Sequence, residues 1–529
     1  MVNAVLDVLH KPIFTDYMFD HASSLIIDSI PALYNDKRRS PSMLTFFAAL
    51  LRSEDLRRRV VALRCIMLLC SPEEEEEHSS DPDLQPFAFV TALKYRSLPS
   101  DLAEFADTYG RERCEIFAID RCHDDYVAMH IQHSIDPDLV KFGRELAAQV
   151  LSSQYALPQS LCPCCYHVTA DLKAEDGWED ILTRCATALR DNPNSVHSDE
   201  DLADVLEWNY LSMHRSKAAH TFAQAAMARN PSFGYFYYAS SCSAETSSEK
   251  LRIVKKGLKC KELAPWLRAE FLRRAVHSAM FIGVMLQVVA KNEAAAHLFS
   301  AYQDAKMLLK ASPPDSVHRQ QDVDIYILLT LVIEGPKIEL TSGVIQSALK
   351  ELEINDKFME FINRPTKSTD MLRMLESRKA VVDRLPEALA EWSATLQRAD
   401  AIMHGGSRNM TLPEPAQKGD TQTLNSWLSN FEDELEKKEH CDDKDDEDGG
   451  PSFSELFEED ELALMRCSWC FRPSVVLKKC GRCGIPRYCD SECQKNHWKE
   501  HKIVCGHDMD IDLRQDDVAT LSDSVHMPS

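Results

Sequence analysis

Glycine is scarce in this chain, with 16 among 529 residues. That excludes collagen-like and glycine-rich flexible architectures. Long apolar runs are missing too. The most apolar stretch, around Ala275–Ala290, carries His277 and Gln287 and is too short to span a bilayer. Where a signal peptide needs an apolar run, Met1–Phe14 carries Asp7, His10 and Lys11. The chain is therefore expected to be soluble, with no membrane association, and intracellular, either cytoplasmic or nuclear. The sequence contains no phosphate-binding glycine loop, no G-x-S-x-G elbow and no H-E-x-x-H helix. What is present suits a globular protein: 44% apolar and 27% charged residues, enough for at least one large core and a length that allows two to four domains.

The formal net charge is −24, with 60 Lys+Arg against 84 Asp+Glu. An evenly acidic protein would avoid nucleic acid, but this charge is concentrated. Ser71–Asp83 has seven acids and no Lys or Arg, Glu432–Met465 has a net of −13, and Gly506–Ser529 a net of −5. These three segments hold −25 and leave +1 for everything else. Dense like charge with few large apolar residues does not offset the entropy of ordering. They read as a solvated loop, an interdomain tether and a disordered tail. Within the tether, Phe453, Leu456, Phe457, Leu462 and Leu464 alternate with acids, a pattern for either a partner-ordered acidic motif or the helix leading into the next domain.

Between the acidic segments the periodicity is helical. Leu56, Val60, Leu63, Met67 and Cys70 fall on one helix face, as do Leu272, Val276, Ala279, Ile282, Leu286 and Val289. Leu385, Leu389, Trp392, Leu396, Ala399 and Met403 form a third, with Pro386 expected near its start and Gly405-Gly406 at its stop. Clean strand alternation is absent, so the fold class is mostly α.

Self-similarity appears in the middle. Ile181, Cys185 and Ala188 precede Asn192-Pro193, and 37 residues later Ala218, Phe222 and Ala225 precede Asn230-Pro231. A looser third copy places Lys250, Val254 and Gly257 ahead of Glu262–Pro265. The pattern resembles the second helix of tetratricopeptide repeats, which implies stacked helix pairs with a concave peptide-holding groove. The expected organisation is an N-terminal helical region (1–70), the acidic loop (71–83), a helical region (84–176), tetratricopeptide-like repeats (177–311), a further helical region (312–431), the acidic linker (432–465), a cysteine-rich module (466–505) and the tail (506–529).

Seven of the 18 cysteines fall between Cys467 and Cys505. In an intracellular chain such clustering means metal or redox chemistry before disulfides. The order is Cys467-x2-Cys470, Cys480-x2-Cys483, Cys489-x3-Cys493 and His501-x3-Cys505. Each short pair reaches one ion, two pairs complete a tetrahedron, and eight ligands make two closed zinc sites. With no open coordination position, both ions are expected to be structural. A segment of this size buries too little apolar surface to fold alone, so metal supplies the difference.

This spacing, with Arg487-Tyr488-Cys489, Cys493-Gln494 and Trp498-Lys499-Glu500-His501, resembles the MYND zinc finger. The resemblance implies cross-braced zinc binding: Cys467, Cys470, Cys489 and Cys493 on one ion, and Cys480, Cys483, His501 and Cys505 on the other. His497 is off the ligand spacing and reads as a helix-surface residue. Members of that family resemble modules that hold proline-rich peptides against the final helix, which points to Gln494 and Trp498. An indole face suits proline rings, and a Gln amide can bond an extended backbone. The bland alternative is that Trp498 only packs the small core. Peptide-binding members can place a serine in the second knuckle where this chain has Gly481, so a hydroxyl contact is missing.

Arg466–Cys505 is formally +6, and seven thiolates with two zinc ions lower that to about +3. The basic residues Lys478, Lys479, Arg482 and Arg487 admit nucleic acid as a less favoured partner than protein. Association of the cationic finger with the −13 tether, screened by salt over about 10 Å at 0.1 M, is a further expectation. Cys162, Cys164, Cys165 and His167 lack a second ligand pair and read as a thiol cluster, and His123, His130 and His133 read as satisfied or exposed histidines. MYND fingers also occur inside SET-type lysine methyltransferases as an insertion with catalytic segments on both sides. Here 24 residues follow Cys505 and no Asn-His-Ser-Cys motif precedes the finger. The expectation is a non-catalytic, zinc-binding adaptor. The alternatives are a transcriptional or chromatin regulator acting through the basic finger, and an enzyme with a site in the helical body.

Overall fold

Several helix starts in this chain are set by side chains that satisfy the first free amides. Asp55 accepts from Arg57 N (2.9 Å), Asp138 from Val140 N (2.9 Å), and Thr246 from Glu249 N (3.1 Å), each sparing an orphan donor. The computed structural model describes residues 2–11, 16–35, 41–70, 92–93, 96–153, 178–213, 217–286, 291–362, 369–405, 467–470, 477–503 and 505. The acidic loop at 71–83, the tether at 432–465, the tail at 506–529, Val289 and the Cys162–His167 cluster lie outside the described residues.

The body is helical throughout: α1 (Val2–Leu9), α2 (Asp16–Asn35), α3 (Pro41–Leu50), α4 (Leu56–Leu69), α5 (Ser100–Tyr109), α6 (Glu115–Ile135), α7 (Leu139–Ser152), α8 (Trp178–Asp191), α9 (His197–Met213), α10 (Lys217–Arg229), α11 (Gly234–Cys242), α12 (Ser247–Gly257), α13 (Pro265–Leu286), α14 (Lys291–Ala311), α15 (Arg319–Glu334), α16 (Gly343–Phe361) and α17 (Thr369–Gly405). From α8 to α16 each helix packs on the next. The chain then returns, and α17 packs against α2, α3, α4 and α15. No helix among the described residues is long and apolar enough to cross a membrane.

Two of the scarce glycines explain close helix crossings. A Cβ on Gly257 would lie 2.6 Å from Phe271 Cζ of α13, and one on Gly283 would lie 2.6 Å from Leu298 Cγ of α14. Neither crossing leaves room for a larger residue.

The repeated Asn-Pro turns have a common mechanism. Asn192 and Asn230 each accept, through the side-chain oxygen, the amide two residues on (3.0 and 3.3 Å), closing the turn after α8 and after α10. The arginines ending those helices meet on one carboxylate of α9: Asp204 takes Arg190 at 2.7 Å and Arg229 at 2.6 Å. In α10, however, the buried alanines are Ala219, Ala223 and Ala226, while Ala218 and Ala225 are exposed. The face read from the triplet is displaced by one residue, because adjacent alanines do not fix the phase of a helix.

Pro386 also sits elsewhere than expected, in the middle of α17. A proline there forfeits one backbone hydrogen bond. Its ring is exposed, and Val381, Leu385 and Ala388 are buried around it, so packing holds the turns on either side.

The centre of the body is α15, buried from Arg319 to Val332. Its polar half is matched by charged partners on the helices packed around it. Asp322 is paired with Arg273 of α13 (3.0 and 3.1 Å), Asp324 with Arg378 of α17 (2.9 Å), and Arg319 with Glu351 of α16. Its C-terminal carbonyls meet Arg59 of α4, whose Nε donates to Val332 O at 2.6 Å, a favourable place for a cation. Burial pulls the Arg59 guanidinium down to about 10, against the raising effects of Asp55 and Asp400.

Two histidines of α6 are packing residues, and the third, His123, is half-buried with Nδ1 3.6 Å from Asp124 Oδ1. His130 is buried beside Tyr126 (4.3 Å) and Phe142 (5.1 Å), and His133 stacks on Phe142 at 4.3 Å. Among the described residues no metal-ligand group includes them.

Candidate metal centres

Among the described residues the cysteine-rich module has two short strands and one helix, and its geometry is set by turns. β1 (Lys478–Lys479) pairs antiparallel with β2 (Arg487–Tyr488), Lys478 opposite Tyr488 and Lys479 opposite Arg487. Each strand therefore ends at a cysteine, Cys480 or Cys489. The turn between them is closed by Gly484 N donating to Cys480 O (2.9 Å), with Gly484 at φ +72, a left-handed conformation that favours glycine. The first knuckle is tied to β2: Ser468 N donates to Arg487 O (2.7 Å) and Arg487 N to Ser468 Oγ (2.9 Å).

Asp490 then caps α18 (Ser491–His501), accepting from Cys493 N at 2.7 Å. Cys493 and His501 lie at opposite ends of this helix, about 12 Å apart along its axis. One rigid element thus serves two centres.

The eight side chains assemble into two groups: Cys467, Cys470, Cys489 and Cys493, and Cys480, Cys483, His501 and Cys505, with the ligand atoms of each group within 4.8 Å of one another. This is the cross-braced grouping that the resemblance implied. In the first group Sγ of Cys489 is 3.7 Å from Cys467, 3.6 Å from Cys470 and 3.2 Å from Cys493. Zn–S bonds of ~2.3 Å in a tetrahedron place sulfurs about 3.8 Å apart, so a zinc ion fits. In the second, Cys480 and Cys505 are 3.9 Å apart and Cys483 is 3.2 Å from His501 Nε2.

Four thiols this close compete for protons. Contacts from Cys470, Cys489 and Cys493 pull Cys467 down, and contacts with Cys467 and Cys470 push Cys489 and Cys493 up. A divalent cation relieves that conflict by holding all four as thiolates.

The family model of the MYND finger matches residues 467–505. The module is a MYND finger. N-lysine methyltransferase SMYD2 of Rattus norvegicus is 51% identical over 39 residues, 7% of this chain and 9% of that protein. N-lysine methyltransferase SMYD2-B of Danio rerio is 38% identical over 55 residues, 10% and 12% of the two chains. Histone-lysine N-methyltransferase SMYD1 of Homo sapiens is 41% identical over 46 residues, 9% of each. The chain thus spans about a tenth of the length of these relatives, over the MYND finger. No solved structure matches the chain.

The remaining finger residues are placed as follows. Gln494 is half-buried, and Trp498, one turn on, is 37% exposed with its ring edge-on to His501 (5.9 Å). Lys478, Lys479 and Arg482 are exposed, and Arg487 is half-buried. A Cβ at Gly481 would meet nothing within 4 Å, so a serine fits there. His497 is more than a surface residue. It shares a 2.9 Å hydrogen bond with the buried Tyr488 hydroxyl and stacks on His501 at 5.6 Å. Burial and the neighbouring His501 pull its pKa down. Its partner Tyr488 is nine residues away, so ligand spacing alone left it without a role.

Sequence reasoning also passed over a stripe that runs along α12 and into the turn after it. Arg252, Lys256 and Lys259 recur at helical spacing and face the finger. That i, i+4, i+7 pattern was the available signal.

Proposed function

We propose that this protein is a non-catalytic adaptor whose MYND finger binds peptide segments of partner proteins and whose helical body engages a second partner. The observation that supports it best is Trp498, a large aromatic side chain left 37% exposed on a helix fixed at both ends by metal ligands. A rigid indole with Gln494 one turn away suits an extended, proline-rich segment. Eight ligands fill two tetrahedra, so neither zinc ion has a position for activated water. The relatives named as lysine methyltransferases resemble the chain over the finger, and the reading carries over the finger's binding role and not their activity.

The test is titration of full-length protein with a proline-rich peptide. Trp498→Ala is expected to weaken binding by about 2 kcal/mol, roughly 30-fold, while zinc content stays at two ions per chain. Unchanged affinity removes the peptide reading and leaves Trp498 a packing residue. The exposed Lys478, Lys479 and Arg482 support a second reading, a regulator that contacts nucleic acid. Its signature is binding that falls steeply with salt and with substitution of these three residues, and that is insensitive to Trp498→Ala.

A further inference from the structure

The finger spanning Arg466–Cys505 is a basic module with three acids, Asp490, Glu492 and Glu500. Asp490 and Glu492 are ion-paired with one stripe of the body, and Glu500 lies near its end. Arg252 of α12 pairs with Asp490 and lies 3.3 Å from Glu492. Lys256 Nζ is 3.3 Å from the other oxygen of Glu492. Lys259, one turn on, is close enough to Glu500, Cys470 and Cys467 for their charges to act on it. Cys489 and Cys493 act in the same way on Arg252, whose Nε is shielded from water and without an oxygen acceptor. Lys255, between them in sequence, turns inward to Asp304 of α14, so the outward stripe is formed by residues 252, 256 and 259.

The chemistry of the first metal group completes this arrangement. Four thiolates around one Zn²⁺ carry a net charge of about −2, against about −1 for three thiolates and a neutral histidine. The more anionic centre is the one that faces the stripe. Asp490 follows the ligand Cys489 and accepts from Cys493 N at 2.7 Å, so these acids face the stripe only while the ion holds the first ligand group in place.

We propose that the stripe Arg252, Lys256 and Lys259 is an intramolecular dock for the acidic, four-thiolate end of the finger, and that zinc loading of that centre and docking of the finger are one linked equilibrium. Docking then favours zinc retention by the same factor that zinc favours docking. It also fixes presentation. With its acids engaged, the finger turns its exposed basic residues and Trp498 to the outside.

The experiment uses full-length, zinc-loaded protein and has two readouts. Carbodiimide coupling, which joins only touching amines and carboxylates, is expected to link Lys256 to Glu492, and the link is expected to vanish after chelation. Zinc transfer to a competing chelator is then compared between the native chain and Arg252→Glu/Lys256→Glu. One of the two zinc equivalents is expected to leave about ten-fold faster, the other unchanged. Arg252→Gln/Lys256→Gln, which removes charge with little change in shape, guards against misfolding and is expected to act in the same direction with a smaller effect. Pairing Lys256→Glu with Glu492→Lys is expected to restore slow release. Release of both equivalents at native rates from both double variants overturns the proposal, as does a Lys256–Glu492 link that persists after chelation.

Discussion

In the body, α15 is enclosed on every side and its acids are met by arginines from α13 and α17. In the finger, the buried set among the described residues is five thiols (Cys467, Cys470, Cys480, Cys493 and Cys505) with Tyr488 and His501. The first region is held by area and by paired charges, the second by coordination. What the difference teaches is how each fails. A body made of many small contributions loses stability in increments, whereas a finger made of two metal centres loses it in steps.

The largest test of this contrast is metal removal. Structural zinc contributes on the order of 10–16 kcal/mol of apparent binding free energy per site in model peptides. Chelation is expected to abolish hydrogen-exchange protection across Cys467–Cys505 while the protection of α13 to α15 persists. Retained protection in the finger after complete zinc removal would place its stability in packing and collapse the comparison.

Next in size is the loss of one buried charge partner. Asp322→Ala leaves Arg273 of α13 without its bidentate acceptor, a change expected to cost about 3–5 kcal/mol. The readout is a lower urea midpoint for the helical signal with zinc content still at two. A shift worth less than about 1 kcal/mol would mean that Glu270, 2.7 Å from Arg273, suffices alone.

The smallest expected effect separates the two regions by pH. Burial, helped by the charge of His133, holds His130 down to about 4, from 6.5. Between those values the unfolded chain binds the extra proton, so this stability is complete above pH 6.5 and is lost as pH falls toward 4. Its ceiling is about 3 kcal/mol. His130→Phe is expected to flatten that acid loss in α6 and α7, measured by hydrogen exchange, without changing the pH at which zinc leaves the finger. An unchanged acid profile would assign the loss to other groups.

The finger was legible because ligand spacing is a local property: eight residues at fixed short intervals report on the metal directly. The faces of α4 and α17 were legible because large apolar residues recur in them, and Leu56, Val60, Leu63, Leu385, Trp392 and Leu396 are all buried. The phase of α10 was not, since Ala218 and Ala219 are equally small. Pro386 looked like a helix start because a proline favours that position locally, and only its burial pattern shows that tertiary packing outweighs one missing hydrogen bond. The basic run Arg57–Arg59 concealed two buried arginines, whose partners Asp400 and Val332 lie some 270 to 340 residues away. Partners at such distances leave no periodic trace in a sequence.

That same separation has a consequence for synthesis. Ser53, in the turn between α3 and α4, bonds Asp400 near the end of α17 (2.7 Å), across 347 positions of sequence. At roughly 5–20 residues per second, a ribosome needs about 20–70 s to supply the second partner once the first has been made. For that interval Phe46, Phe47 and their neighbours on α3, all buried in the finished protein, have no α17 to cover them. The finger emerges afterwards and has no such wait: its ligands span 39 residues, and it closes as soon as zinc arrives.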